Sequence, residues 1–446
     1  MTLEDAVKLF LEIEKKLDLY NFTVHNEKVW FYFRMNLFYK ICMNNDIYQI
    51  PHESQKKIKN FSNLLISLLK SIFLYNPQVI DNHKTHIVFS HNRKVKYNGQ
   101  FIDIYTDFKN IENCYIFEKP FMGQHKRSKK GLIYFLDAIL VAKEISQYKR
   151  LKFNQNEKNI IKKIHKEFKD NFNFNFDLEK YVKRQTLKFM TGLNYYAKIF
   201  KKIKPKAIYC VESYSFNYDI ISAARNYSIP TIEIQHGTIS KYHIGYNFSD
   251  YCQLTGLADK MLCWGKFWKD NFPTTHYKNK MILDKFEYLH IQKNGICVNK
   301  NKMNVLIVSQ SAIGEKLIKE IYMDKSLIQR YTIFYKPHPS EINLYQNYKY
   351  FDELNQYEQF KICQNENLYK LFSICEFQIG VFSTALYEGY VFGCKTIILD
   401  LPGASYMKNF ISYPGVQLKD KSFSEVINKL NEEEIFYNVK SDFFGS

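Results

Sequence analysis

Several things are missing from this chain, and each absence narrows it. No apolar run among its 446 residues is long enough to cross a bilayer. The two most apolar stretches, 64–75 (LLISLLKSIFLY) and 132–142 (LIYFLDAILVA), are short and interrupted by charge. Both are expected to be core helices. Residues 64–75 also suit a helix lying flat in a membrane interface, since Asn63, Ser67, Lys70 and Ser71 fall on one side at helical spacing. Residues 1–19 carry acids early and have no basic region ahead of an apolar one, so they are not expected to act as a secretory signal. The nine cysteines form no C-x-x-C and show no His/Cys ligand spacing. Reduced, mostly buried thiols and a cytoplasmic setting are expected. There is no internal sequence repeat.

The remaining composition is an ordinary globular balance, 46% hydrophobic and 24% charged. The 63 basic residues outnumber the 45 acidic ones, for a net charge of +18. Such a surplus concentrates anionic partners without choosing among nucleic acid, lipid headgroups and polyanionic substrates. It is densest over 126–169 (KRSKK, QYKRLK, NEKNIIKKIHKEFK), which suits either a solvated helical face or a membrane-facing patch. The 35 Tyr and 37 Phe accompany abundant Asn, Lys and Ile, a bias that says little about stacking on sugars or bases.

A chain of this length exceeds what one core usually organises. Residues 1–84 read as a helical N-terminal extension, with helical periodicity at 3–17, 29–43 and 58–74. Residues 85–271 read as a first Rossmann-type unit with a helical insertion. Its strands are expected at 86–90, 101–105, 207–211, 231–234 and 261–264, with a helical block over 131–203 and a helix at 218–227. The polar stretch 272–302 reads as a linker. The strand–helix rhythm restarts over 303–415, with strands at 304–308, 331–335, 377–382 and 395–399. Helices are expected there at 313–321, 368–374 and 384–392, and 416–446 reads as a helical tail. The expected fold class is α/β: two doubly wound parallel domains facing a cleft, with ligands outside the carboxyl ends of the strands.

Three polar motifs fall at such strand ends. In IPTIEIQHGTIS (229–240), a β-branched strand delivers Gln235 and His236 to the sheet edge. Gly237 then permits a tight turn or a close backbone approach. An imidazole there suits proton removal from a hydroxyl. The plainer alternative is a ring that hydrogen-bonds a loop carbonyl. In FYKPHPSE (334–341), prolines on either side of His338 hold Lys336 and His338 with little freedom left to lose, an arrangement suited to phosphate. A proline-stiffened surface turn is the alternative. In IGVFSTALYEGY (379–390), a buried strand runs into Ser383 and Thr384 at a helix start. That is an N-cap, and equally an anion site built from free N–H groups and the helix dipole. Glu388, one turn further in, is placed to reach a ribose diol. Glu212, in YCVESYS, also ends a strand.

The succession QHGT, KPHP and ST-x3-E, over about 204–401, resembles bacterial GT-B glycosyltransferases of surface polysaccharide synthesis. The likeness is to capsule and lipooligosaccharide CMP-sugar transferases, with their HP and paired-hydroxyl motifs, and to CDP-glycerol polymerases with a His-Gly-Thr motif. The resemblance implies a GT-B-like fold with an acceptor-side first domain and a donor-side second domain. It implies His236 as the acceptor-side base, His338 on the donor phosphates, and Ser383 and Thr384 as the paired hydroxyls. Gln235, Gly237, Thr238 and Pro339 would support these loops. Two positions depart from the pattern. The CMP-sugar transferases that transfer sialic acid have an acid with Gly in the first domain, of which this chain has no clean equivalent, although Glu212 also ends a strand, and the polymerases place Trp where this chain has Gln235.

The expected activity is therefore inverting transfer from a nucleotide-activated sugar or alditol, CMP- or CDP-linked, to a glycan or glycolipid acceptor. No D-x-D occurs near these strand ends, so no metal or other cofactor is expected and protein cations would carry the phosphates. An anionic membrane surface is an expected partner, with the enzyme peripheral on the inner face of the cytoplasmic membrane; nucleic acid is not. A nucleotide-sugar 2-epimerase of the same fold and a basic nucleic-acid-binding protein are the alternatives.

Overall fold

The computed structural model describes residues 1–49, 61–80, 85–91, 94–121, 124–125, 132–249, 256–433 and 441–445. Part of the basic run, 126–131, lies outside them. The architecture is α/β, built on two parallel sheets. The first has seven strands: β1 (His86–Phe89), β2 (Cys114–Glu118), β3 (Leu132–Phe135), β4 (Ala207–Val211), β5 (Thr231–Ile234), β6 (Lys260–Cys263) and β7 (Met281–Leu283). Their order across the sheet is β7-β6-β5-β4-β1-β2-β3, every neighbour parallel.

The second sheet has six strands: β8 (Asn301–Val308), β9 (Thr332–Lys336), β10 (Phe360–Ile362), β11 (Cys375–Gly380), β12 (Lys395–Ile398) and β13 (Val416–Leu418). Its order is β10-β9-β8-β11-β12-β13, again all parallel. Numbered within itself, each sheet reads 3-2-1-4-5-6, the Rossmann order, with a seventh strand added to the first. Strands such as AIYCV and TIFYK read as short β-branched and aromatic runs because helices cover both faces.

The helices of the N-terminal part are α1 (Leu3–Lys16), α2 (Trp30–Asn44) and α3 (Phe61–Phe73). Between β3 and β4 come α4 (Asp137–Ser146), α5 (Gln155–Phe172) and α6 (Leu178–Ile203), and α7 (Tyr218–Arg225) follows β4. Helix α5 buries Ile161, Ile164, Phe168 and Phe172, and its lysines face water, so this part of the basic run is a solvated face.

Several expectations need correction. Residues 132–142 are not one helix: LIYF forms strand β3 and the helix starts only at Asp137, because a four-residue apolar run carries no period to separate the two readings. Strand β2, in CYIFE, was not expected. Residues 101–105 do not join the main sheet. Gln100–Ile102 pairs antiparallel with Val95–Tyr97 around Asn98 and Gly99, both at positive φ, the turn an Asn-Gly pair favours. The stretch 272–302 is not bare linker: it supplies edge strand β7 and the helix Glu287–Gly295. The tail is not wholly helical either, since β13 closes the second sheet. Helix α3 does not bury its apolar face.

Both chain ends cross between lobes. Gln49, beyond α2, donates its backbone N–H to the Ala312 carbonyl (2.9 Å) in the second lobe. The last helix, Ser441–Phe444, returns to the first: Trp268 Nε1 donates to the Phe443 carbonyl (2.5 Å) and the Phe286 N–H to that of Phe444 (3.2 Å). A Cβ on Gly265 would meet the Asp442 carbonyl at 2.2 Å, which requires glycine there. The cysteines among the described residues are free thiols, mostly buried, with Cys297 exposed.

Candidate functional site

Each sheet reverses its strand order at one place, β1/β4 in the first lobe and β8/β11 in the second, and a crevice opens at such a point. His91 follows β1, Glu212 follows β4, Ser309–Ser311 follow β8, and Ser383–Thr384 follow β11 by a short turn. All of them line one cavity of about 1030 Å³ between the lobes. The two sides come close: a Cβ placed on Gly237 would stand 3.8 Å from Thr384 Oγ1. This is a GT-B-like fold.

On the first lobe, β5 ends at Ile234 and the next three residues are fixed through their main chain. Gln235 is fully buried. Its amide oxygen accepts the Trp264 N–H (2.9 Å) and its NH2 donates to the Gly237 carbonyl (2.9 Å). Tyr105 Oη donates to the His236 carbonyl (3.3 Å). The His236 ring is left to the cavity, partly exposed, with its Nδ1 buried and without a hydrogen-bond partner. Burial, with His91 adding repulsion, drives its pKa down to about 3, so the imidazole is neutral at pH 7. His243, beside it, is held down to about 3 by burial and by His236, and lies 3.3 Å from Tyr214 Oη.

Glu212 leaves β4 in the left-handed region, at φ 74°, where a side chain other than Gly or Asn is strained. The Asn217 amide donates to its carbonyl (3.0 Å). Burial raises its carboxyl to about 7, against the pull of Lys119 and with a further push from Glu233. Glu233, buried inside β5, accepts from Ser213 Oγ and from Tyr246 Oη (2.6 Å) and ties the two loops beneath the site.

On the second lobe, an acid pins the main chain of the loop that carries His338. The His338 N–H donates to Glu341 Oε2 (2.7 Å), and Glu341 also accepts from Ser309 Oγ (2.9 Å) and Tyr348 Oη (3.0 Å). The Ser340 N–H donates to His338 Nδ1 (3.2 Å). A neutral ring therefore carries its proton on Nε2, as a donor. Lys336 Nζ donates to the carbonyls of Gln364 (3.0 Å) and Glu366 (2.7 Å). Two of its three protons thus brace the loop 364–366 at the cavity wall.

Ser383 is the N-cap of the helix Thr384–Val391, its Oγ accepting the Ala385 N–H (3.3 Å). Gln310 fastens this start to the β8 loop by accepting the Phe382 N–H (3.0 Å). Glu388 accepts from Tyr369 Oη (2.8 Å), and burial raises its carboxyl to about 7.

The cavity thus gathers Glu212, His236, Gly237, Thr238, Lys336, His338, Pro339, Ser383, Thr384 and Glu388, while Gln235 stands behind it. Sequence reasoning missed His91, Tyr105, Tyr214, His243, Glu341 and Tyr369. His91 was findable: it follows IVFS much as His236 follows the strand TIEI. Glu341 ends the quoted Lys-Pro-His-Pro stretch. Among the described residues, no group of three or more His, Cys, Asp or Glu side chains is placed to hold a metal ion.

No family model and no curated protein sequence matches this chain. Solved structures do. A UDP-GlcNAc 2-epimerase from Methanocaldococcus jannaschii is 11% identical, with 81% of this chain and 95% of that one covered at a TM-score of 0.45. The UDP-GlcNAc 2-epimerase of Neisseria meningitidis bound to UDP-GlcNAc is 11% identical over 78% and 90%, at 0.42. A UDP-forming α,α-trehalose-phosphate synthase from Burkholderia vietnamiensis is 9% identical over 79% and 90%, at 0.41. Values this low assign no activity, so the site is read from its own residues.

Proposed function

We propose that the protein is an inverting glycosyltransferase that uses a nucleotide-activated sugar or alditol, CMP- or CDP-linked, to build a bacterial surface glycan of the capsule or lipooligosaccharide kind. One observation carries the reading: a neutral imidazole at the end of β5, one strand from the reversal in its sheet, faces across one cavity a capped helix start that follows β11 at the reversal in the other.

The donor lies on the second lobe. Its phosphates meet the helix start at Ser383 and Thr384 and the Nε2–H of His338, and its ribose meets Glu388. Lys336 acts through the loop it braces. The acceptor hydroxyl enters from the first lobe, where His236 takes its proton as, with a sugar donor, its oxygen bonds to the anomeric carbon. The bond from that carbon to the phosphate oxygen breaks on the opposite face, and the nucleotide leaves with the electron pair. One displacement inverts the configuration. The charge that develops on the leaving group is met by protein donors without metal, so turnover should be unchanged by EDTA. With a glycan or glycolipid acceptor, the enzyme would work as a peripheral protein on the inner face of the cytoplasmic membrane.

The test is a thermal-shift panel of CMP, CDP, UDP and GDP. A nucleotide at a hundred times its Kd adds about 2.7 kcal/mol of stability, and one or more should do so. Ser383→Ala with Thr384→Ala should weaken that nucleotide's binding about tenfold or more, the loss of one to two charge-assisted hydrogen bonds. No shift from any of the four removes the donor site. Epimerised product from UDP-N-acetylglucosamine alone, with no acceptor present, would replace transfer by epimerisation.

A further inference from the structure

Helix α3 is mounted with its polar side inward. Ser67 and Ser71 are buried. Ser67 Oγ donates to Asp137 Oδ1 (2.7 Å), and Ser71 Oγ donates to the Phe135 carbonyl (2.9 Å) while accepting the Ala138 N–H (3.1 Å). The side chains turned outward are Leu65, Ile66, Leu69, Ile72, Phe73 and, just past the helix, Leu74. The least exposed of them is Ile72 at 40%, the most exposed Phe73 at 73%. A helix on a water-facing surface carries the opposite arrangement. The strip continues toward α4: Leu64 and Leu68 of α3, Leu140, Val141 and Ile145 of α4, and Tyr148 just past it line a groove of about 620 Å³. An apolar patch this continuous marks an interaction site.

The charges beside it have one sign in excess. Helix α3 has no acid and a single cation, Lys70. Exposed Lys149 and Arg150 follow Tyr148 directly. The exposed acid at the groove, Glu144, is paired with Lys188. A second copy docked on this face would bring cations against cations. An anionic surface would not. A hydrogen-bond chain links the groove to the candidate site: Lys119, in its wall, donates to the Asn217 side-chain oxygen (2.5 Å), and the amide of Asn217 holds the carbonyl of Glu212. Among the described residues no helix is long and apolar enough to cross a membrane, so this surface can attach the protein without spanning.

We propose that the outer face of α3, with the groove against α4, is the docking surface for a bilayer that carries anionic phospholipid. Leu69, Phe73 and Leu74 enter the acyl boundary, and Lys70, Lys149 and Arg150 meet the headgroups. The inference does not depend on the enzymatic reading, and its test measures no turnover.

The full chain is floated on density gradients with phosphatidylcholine vesicles, with or without phosphatidylglycerol. It should partition about tenfold or more in favour of the mixed vesicles at low salt, and the preference should shrink as salt rises. Leu69→Glu with Phe73→Glu should lower partition about tenfold or more at an unchanged melting temperature. Should that variant melt early, Lys149→Ala with Arg150→Ala keeps the test open, because it should remove only the preference for phosphatidylglycerol. Wild-type protein that floats with neither vesicle, or variants that float as wild type does, would overturn the proposal. So would a dimer by light scattering that Leu69→Glu with Phe73→Glu dissociates, with no vesicle binding; that result gives the face to a second copy.

Discussion

Replacing His236 by alanine lowers turnover by about 10²- to 10⁴-fold, the range a positioned general base contributes, and leaves nucleotide binding in place. The substitution is clean for a structural reason. Gln235 fixes the loop through the Gly237 carbonyl and the Trp264 N–H, and Tyr105 does so through the carbonyl of residue 236. None of these contacts uses the imidazole, so its removal leaves the main chain pinned. A variant that loses both turnover and the nucleotide-induced thermal shift would make residue 236 structural and sink the base assignment.

The same ring has a pH signature. Burial and the nearby His91 hold it near 3, so it stays neutral well below the ordinary histidine range and is a weak base there. The donor brings negative charge, which favours imidazolium, so nucleotide binding raises the pKa of His236. The same charge disfavours the carboxylate of Glu212, so that group, already raised to about 7 by burial, stays protonated to higher pH. Two-dimensional NMR of the imidazole nitrogens should show a ring that is neutral at pH 5 in free enzyme and titrates higher with nucleotide bound. Titration at an ordinary histidine value in the free enzyme, unmoved by nucleotide, contradicts the picture.

The motifs were legible because they sit where strand ends impose a pattern. TIEI followed by Gln-His-Gly, and QIG running through Val-Phe into Ser-Thr, each announce a buried strand, a sheet edge and a turn. Strand order was not legible. That His91 and Glu212 stand together follows from β1 lying beside β4, more than a hundred residues apart in sequence, and no local pattern encodes that pairing. Strands β2 and β3 were hidden for a different reason: CYIFE and LIYF are short apolar runs whose period does not separate strand from helix. Lys336 shows a third limit. Sequence places a cation at a strand end, but only coordinates show that its protons go to the carbonyls of Gln364 and Glu366. Helix α3 was misread because its hydrophobicity implied burial, while two of its three serines, Ser67 and Ser71, bond to the body of the protein.

The largest stability loss should come from a residue far from the chemistry, Arg34. Its guanidinium pairs with the fully buried Glu14 through Nε to Oε1 (2.6 Å) and Nη2 to Oε2 (2.7 Å). It also donates to the carbonyls of Ile244 and Asn247, in the loop that follows the Gln-His-Gly turn. Glu14 is further satisfied by Trp30 Nε1 (2.6 Å) and Tyr20 Oη (2.7 Å). Helices α1 and α2 thereby hold the loop that carries His243 against the site. Arg34→Ala leaves a buried carboxylate without its cation and two loop carbonyls without their donor. Breaking one side of such a pair costs about 3–5 kcal/mol. Calorimetry should show a lowered melting temperature, and turnover should fall with it as the loop loses its anchor. Glu14→Leu with Arg34→Met removes both charges, so no ion is left buried without a partner, and it should recover much of the loss in stability. Turnover should stay low, because methionine cannot donate to Ile244 and Asn247. A double variant as unstable as the single one would mean that the loop contacts outweigh the ion pair. An Arg34→Ala protein that melts with wild type would remove this anchor from the account of how the site is held.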